Sequence, residues 1–299
     1  MSSVAEQDRS ATQTGGLTLQ QRNVIGRTWR LAVIFLGIFY ALFPIIWIAS
    51  ASFNPTQSLS GQELIPANPT LENYRELFER PYWRWMGNSL LVASVTATLS
   101  VLVSAVSAYA FSRFRFNGRR SLLLTVFLVQ VFPNTLSMVA TFLLLQTIGR
   151  YIPMLGLNTL GGLILVYLGG AMGINTWLMK GFFDTVPRDL DESAKIDGAS
   201  DFQIFWLVIM PLVRPVLAVV AILSFVGTYA DYLLALVLVN EESNYTLAVG
   251  LSLFLGDNFG QRWGPFAAGA LIGAIPIIIV YLALQDYIVG GLTAGAVKG

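Results

Sequence analysis

Six stretches of the chain are almost entirely apolar, and each is long enough to cross a membrane. A transmembrane helix needs about 20 such residues, because the hydrocarbon core of a bilayer is about 30 Å thick. Backbone polar groups cannot remain unpaired in hydrocarbon, so these stretches must cross as helices. The sequence therefore predicts an all-α integral membrane protein with six transmembrane helices, at residues 31–51, 89–111, 121–145, 160–179, 215–239 and 266–288.

The composition supports this fold class and excludes several kinds of function. Of the 299 residues, 55% are hydrophobic and 12% are charged, whereas soluble domains average about 25% charged residues. The chain has no Cys and no His, which excludes disulfides, thiolate nucleophiles and the commonest zinc ligands and general base. A net charge of +1 gives no electrostatic reason to expect a nucleic-acid partner. We expect no cofactor or metal bound by this chain.

The distribution of Lys and Arg predicts the orientation in the membrane. Thirteen of the 18 basic residues fall on the side that holds both termini, and basic residues favour the cytoplasm. We therefore expect both termini in the cytoplasm. The expected organisation is a disordered cytoplasmic tail at 1–30, a six-helix domain at 31–288 and a second cytoplasmic tail at 289–299.

The longest predicted cytoplasmic connection, the 180–214 loop, contains the signals of two short helices. Pro187 suits the first turn of one helix, and Gly198 suits its end. Ser200 and Gln203 form a possible capping box for a second helix, which Pro211 should end.

The second helix of the 180–214 loop has an apolar stripe, formed by Phe202, Phe205, Trp206 and Ile209 at helical spacing. Two interpretations remain open: the stripe packs against the chain's own membrane helices, or it docks into a groove on another protein. A DNA-binding role is disfavoured, because acidic residues outnumber basic ones in this loop and would repel phosphate.

The same loop resembles the EAA loop of binding-protein-dependent ABC importers. That family's pattern is Glu-Ala-Ala, three residues, Gly, nine residues, Ile, one residue and Leu-Pro, and Glu192, Ala194, Gly198 and Pro211 match it. Ser193, Val208 and Met210 replace Ala, Ile and Leu. The resemblance covers nearly the whole chain after its polar tail and extends to the MalG-type permeases of the maltose/maltodextrin branch. It is carried also by 108–114, 180–184 and 291–299.

The resemblance implies a permease subunit that is not itself an enzyme. In the family, a second homologous permease subunit, two ATPase subunits and an extracytoplasmic sugar-binding protein complete the importer, and ATP and Mg bind to the ATPase subunits. The residues implied to couple this chain to the ATPase subunits are Glu192, Ser193, Ala194, Asp197, Gly198, Ala199, Phe202, Phe205 and Pro211. The family's C-terminal tail also reaches the ATPase subunits, which implicates Thr293, Gly295, Lys298 and Gly299, although a free tail is the alternative. Independently, no Gly-Lys pair exists to build a phosphate-binding loop.

Polar residues within the predicted spans are candidates for the translocation path. Asp231 could line the path beside Tyr229 and Tyr232 or could stabilise helix packing through a hydrogen bond. Gln130, Asn134 and Asn175 are weaker candidates of the same kind. The outer 240–265 loop is glycine-rich, and the family resemblance implies that Gly250, Gly256 and Gly260 contact the binding protein.

Together these features predict a permease subunit of an ATP-driven importer of maltose, maltodextrin or a related α-glucoside. The alternatives are an importer of the same family carrying trehalose or another glycoside, and an ion-coupled secondary sugar transporter. The latter would need intramembrane ionisable residues as coupling sites, for which only Asp231 is available.

Overall fold

A computed structural model describes residues 19–56, 62–131, 134–256 and 261–296, and most of these residues are helical, with no strand among them. In chain order, the helices are α1 (Leu19–Phe53), α2 (Glu72–Phe78), α3 (Tyr82–Arg113), α4 (Arg119–Val131), α5 (Asn134–Tyr151), α6 (Leu160–Thr185), α7 (Asp189–Ile196), α8 (Asp201–Leu212), α9 (Arg214–Tyr229), α10 (Leu233–Leu238), α11 (Leu247–Ser252) and α12 (Trp263–Ala296). Short 3-10 turns lie at Pro153–Leu155, Glu242–Asn244 and Leu253–Leu255. The all-helical fold class predicted from the sequence is confirmed for the described residues.

Four of the predicted membrane spans fall within continuous apolar helices. Among the described residues, the segments long and apolar enough to cross a membrane are Arg27–Phe53, Tyr82–Arg113, Leu160–Thr185 and Trp263–Tyr287. Two bent helix pairs raise the number of candidate spans to six if each pair is one span. One pair is α4 with α5, whose axes differ by 107°, and the other is α8 with α9, bent by 80°.

The third and fifth predicted spans are not single helices. The third divides into α4, which ends at Val131, and α5, which begins at Asn134. The fifth is interrupted after Tyr229 and resumes at Leu233. At that second break, Asp231 Oδ1 accepts hydrogen bonds from the backbone N–H groups of Leu234 (3.1 Å) and Ala235 (3.3 Å). Asp231 therefore caps a new helix, as short polar side chains do when they compete with helical bonding.

Helix ends also differ from the predicted domain limits. Helix α1 begins at Leu19, within the predicted 1–30 tail, and α12 continues to Ala296, within the predicted 289–299 tail. Helix α6 likewise continues to Thr185, inside the 180–214 loop. Helical hydrogen bonding is local and does not stop where apolar composition ends, so a helix can extend beyond the apolar span that it contains.

Helix α3 lies at the centre of the bundle and packs along α6 and α9. Its buried face is rich in Ala and Ser, including Ala93, Ala97, Ser100, Ala105 and Ala108. Small side chains let helix backbones approach closely inside a membrane. At one end of α3, Tyr82 and Trp85 join the core with α11 and α12, and at the other end Tyr109 joins the core of the 180–214 loop. Movement of α3 would therefore affect both ends of the bundle.

Candidate functional site

The turn between α7 and α8 is fixed by local hydrogen bonds. Gly198 has a φ of +83°, a left-handed conformation that glycine adopts without steric cost. Its N–H donates to the carbonyl of Lys195 (3.0 Å), and the N–H of Ala199 donates to that of Ala194 (2.9 Å). These two bonds form a Schellman motif, which ends a helix and turns the chain. The predicted role of Gly198 in ending the first loop helix is confirmed.

The start of α8 is also fixed locally. The predicted capping box is present: Ser200 Oγ accepts from the N–H of Gln203 (3.3 Å), and the N–H of Ser200 donates to Gln203 Oε1 (2.8 Å). Across the turn, Lys195 Nζ pairs with Asp201 Oδ1 at 2.9 Å. The two short helices of the 180–214 loop are thus held at a defined angle.

The apolar stripe of α8 is divided between two environments. Phe205 and Ile209 are 5% and 0% exposed, whereas Phe202 is 72% exposed and Trp206 38%. Residues Ile204–Ile209 are π-helical, and a π-helix bonds each residue to the fifth along the chain and so widens the turn. Ile204 and Ile209 therefore share the buried face, and Phe202 lies off it. Packing against the chain's own helices therefore accounts for Phe205 and Ile209, whereas Phe202 and Trp206 remain exposed.

Phe205 belongs to the chain's own core. Its ring lies 5.1 Å from that of Tyr109, measured between centroids, in a cluster that includes Met179 and Phe183. The predicted contact of Phe205 with a partner groove does not fit this position, because the ring is enclosed by α3 and α6.

The other predicted coupling residues lie at or near the surface of the loop. Side chains of Glu192, Ser193, Asp197 and Pro211 are exposed, and Ala194 and Ala199 are half-buried. Exposed apolar side chains accompany them, namely Ile196 (87%), Leu207 (72%) and Phe202. A surface that combines carboxylates with uncovered large apolar groups is typical of a protein-interaction site.

A polar cavity of ≈ 470 Å³ lies between α4, α5, α6 and α9. Its polar lining side chains are Gln130, Ser137, Thr141, Tyr167, Ser224, Thr228 and Asp231. Asp231 Oδ1 accepts a hydrogen bond from the hydroxyl of Tyr167 (2.8 Å) in addition to its two backbone bonds. Asp231 therefore caps a helix, links α6 to the segment after α9, and lines a cavity.

Gln130 reaches across the same cavity, and Tyr167 is a lining residue that the sequence reasoning missed. Gln130 Nε2 donates to the carbonyl of Gly170 (3.0 Å), and a Cβ at Gly173 would lie 2.5 Å from that nitrogen. Gly173 therefore makes room for Gln130. A tyrosine beside paired glycines in an apolar helix was the available signal for Tyr167.

Asn175 and Tyr229 are buried and link helices through hydrogen bonds, and Tyr229 also lines a cavity. Asn175 is 4% exposed, and its Nδ2 donates to Ser100 Oγ (2.8 Å) and Ser224 Oγ (2.9 Å), linking α6 to α3 and α9. Tyr229 is 4% exposed and donates to the carbonyl of Gly273 (2.9 Å).

The remaining pore candidates are less informative. Tyr232 lines a second, largely apolar cavity of ≈ 570 Å³ formed with α11 and α12. Asn134 begins α5, and its side chain lies outside the described residues. Of the polar candidates, Gln130 and Asp231 therefore remain on the polar cavity.

The glycines of the 240–265 loop differ in burial. Gly250 is buried in α11, where a Cβ would lie 2.2 Å from Trp85 Cδ2. It is therefore required for close packing and is not available to contact a partner. Gly256 is exposed after a 3-10 turn, and Gly260 lies outside the described residues, as do Lys298 and Gly299 of the tail. Thr293 and Gly295 fall on the last turns of α12.

Comparison with known proteins places this architecture among transport proteins. Residues 100–293 match the family described as the binding-protein-dependent transport system inner membrane component. The galactooligosaccharides transport system permease protein GanQ of Bacillus subtilis is 42% identical over 273 residues, covering 90% of this chain and 94% of GanQ. The maltose/maltodextrin transport system permease protein MalG of Vibrio vulnificus is 40% identical over 296 residues, covering 94% and 99%.

A solved structure is similar over the same range. A chain from the crystal structure of a bacterial ABC transporter involved in the import of the acidic polysaccharide alginate aligns with a TM-score of 0.74 at 25% identity. The alignment covers 91% of this chain and 99% of that chain.

Proposed function

The chain belongs to the family of binding-protein-dependent transport system inner membrane components, and from that premise we propose that it imports neutral oligosaccharides, maltodextrin among them. In this proposal it forms one half of the translocation path, and a second permease subunit forms the other half. ATP is hydrolysed by two separate ATPase subunits, and an extracytoplasmic protein delivers the sugar.

The observation that carries the proposal is the exposed apolar and acidic surface of the 180–214 loop. Phe202, Ile196 and Leu207 are large apolar groups left uncovered on α7 and α8. Covering such groups is favourable, at about 25 cal/mol for each Å² of apolar surface. A short helix that presents one aromatic side chain suits insertion into a groove, and Glu192 nearby can pair with a basic group at the rim.

The cavity chemistry supports a neutral sugar. The described lining of the polar cavity contains hydroxyls, one amide and the carboxylate of Asp231, with no Lys or Arg. An anionic polysaccharide would meet repulsion from Asp231 with no compensating cation. Hydroxyl-rich neutral sugars suit hydrogen-bonding side chains such as Gln130 and Thr228. Some relatives are named for maltodextrin and others for galactooligosaccharides, so both kinds of sugar are candidates.

Orientation and partners follow from the same proposal. The 180–214 loop and both termini face the cytoplasm, where the ATPase subunits reside, in agreement with the excess of basic residues on that side. Helix α1 exposes Phe35, Phe39 and Tyr40, which supplies apolar surface for lipid and for the second permease subunit. The 240–265 loop, including Gly256 and Gly260, and the end of α12 are the proposed contacts with the binding protein and the ATPase subunits, respectively.

The proposal is tested by assembling the transporter and measuring its ATPase activity. The chain is co-expressed with the second permease and the ATPase subunits, reconstituted in liposomes and supplied with binding protein and one sugar at a time. We expect stimulation by maltotriose or a galactooligosaccharide and none by alginate. Stimulation by trehalose alone would retain the importer and change the sugar. A chain that recruits no ATPase subunit would overturn the proposal.

The docking surface has its own test, which uses the absence of Cys from the chain. Single-cysteine variants Ser193→Cys and Tyr151→Cys place one thiol on the 180–214 loop, at an exposed residue, and one at the end of α5, where Tyr151 is 84% exposed. A heterobifunctional crosslinker, which reacts with the thiol at one end and is photoactivated at the other, should join the ATPase subunit to the first variant and not to the second. Crosslinking of both, or of neither, would contradict this surface.

A further inference from the structure

A buried ion pair connects the 180–214 loop to the end of α3. Arg113, the last residue of α3, lies with its Nε 2.6 Å from Asp191 Oδ2 in the first turn of α7. The two side chains are only 7% and 12% exposed. This geometry differs from that of the Lys195–Asp201 pair in the same loop, where both side chains are about half exposed. Exposed pairs contribute little to structure because water and salt screen them.

Further hydrogen bonds fix the same two segments to each other. Arg113 Nη2 donates to the carbonyl of Val186 (3.0 Å), and Arg188 Nη2 donates to the carbonyl of Ser112 (2.9 Å). Ser112 Oγ in turn donates to Asp184 Oδ1 (2.7 Å). The end of α3 is therefore joined to the loop at several points, and relative sliding would break several charge-assisted bonds together.

Stability alone does not account for a buried ion pair at this place. Removing two charges from water is costly, and apolar replacements of similar volume are often neutral or stabilising. Burial raises the pKa of the Asp191 carboxyl, and the guanidinium of Arg113 opposes that shift. The apolar cluster of Tyr109, Phe183 and Phe205 already attaches α8 to α3 and α6. The pair adds what apolar contacts lack, an attraction between opposite charges held at a separation of 2.6 Å.

We propose that Arg113 and Asp191 are positioning residues that pass displacement of the 180–214 loop to α3. This inference rests on the proposed function, in which the ATPase subunits move the loop. Helix α3 is suited to receive the movement because it packs along both α6 and α9, which line the polar cavity. A loop attached only by apolar side chains could slide along α3. The hydrogen bonds of Arg113 and Arg188 between the loop and the end of α3 resist such sliding.

The test compares transport with ATP hydrolysis in liposomes containing the complete transporter. In Asp191→Asn we expect normal recovery of the ATPase subunits and a ratio of sugar transported to ATP hydrolysed about tenfold below wild type, within the usual range of coupling between sites. The double variant Arg113→Met/Asp191→Leu leaves no buried unpaired charge, so it should fold and still show the lower ratio. Tyr82→Phe, which removes a buried hydrogen bond at the other end of α3, should keep the wild-type ratio.

The outcomes separate this inference from the function on which it rests. If the wild-type complex transports sugar and the double variant has the same ratio of transport to hydrolysis, the inference is overturned and the importer stands. An equally low ratio in Tyr82→Phe would also overturn it, since general loosening of α3 would then explain the effect. A wild-type chain that recruits no ATPase subunit would overturn both.

Discussion

Two phenylalanines three positions apart in α8 should respond to the same substitution in opposite ways. Phe205 is 5% exposed, and Phe202 is 72% exposed. Replacing a buried Phe by Ala costs about 3–5 kcal/mol, because apolar contacts are lost and a cavity remains. Replacing an exposed residue usually changes the free energy of unfolding by less than about 0.5 kcal/mol. Phe205→Ala should therefore destabilise the chain, and Phe202→Ala should not.

Among properly folded protein, Phe202→Ala should weaken binding to the ATPase subunit more than Phe205→Ala does. An aromatic residue inserted in a groove often contributes about 2 kcal/mol or more to binding, which corresponds to roughly a 30-fold change in Kd. Phe202→Ala should weaken binding of the purified ATPase subunit by about that factor. Phe205→Ala protein that remains folded should bind nearly as wild type does, because its ring is enclosed by α3 and α6.

The measurements are thermal unfolding in detergent and titration of the ATPase subunit against the solubilised permease pair. Phe205→Ala should lower Tm by about 5 °C or more, and Phe202→Ala should change it by less than about 2 °C. Tyr151→Ala, an exposed aromatic at the end of α5, is the control and should change neither quantity. The reasoning is refuted if Phe202→Ala lowers Tm as far as Phe205→Ala, or if it leaves the Kd unchanged.

Three further substitutions test other parts of the structure. In Gly198→Ala the alanine must adopt a positive φ, which should lower the free energy of unfolding by about 1 kcal/mol. We expect a lower Tm and reduced sugar-stimulated ATPase activity. Gly250→Ala forces a Cβ against Trp85 and should lower Tm by an amount equivalent to about 1–3 kcal/mol, with no loss expected in the Gly256→Ala control. Asp231→Ala removes the cap of α10 and the partner of the Tyr167 hydroxyl, so it should lower the free energy of unfolding by about 1–3 kcal/mol. Tyr167→Phe should lower it by less. Equal Tm values for the two variants would contradict the capping role.

The sequence predicted those parts of the molecule that local interactions decide. The turn at Gly198 and the capping box of Ser200 and Gln203 each depend on hydrogen bonds within a few residues, so their residue types were sufficient signals. Hydropathy was likewise sufficient for the four continuous apolar helices, because exclusion of unpaired polar groups from lipid acts on each segment separately.

The roles of individual side chains required the tertiary structure. Asn175 is a packing residue because its partners, Ser100 and Ser224, are 75 and 49 positions away and converge only when three helices pack. Nothing in the local pattern separates Phe202 from Phe205; the π-helical turn and the packing of α8 on α3 assign one to the surface and the other to the core. The Arg113–Asp191 pair is likewise invisible to periodicity, since a contact between distant residues is decided by how helices pack and not by how each one forms.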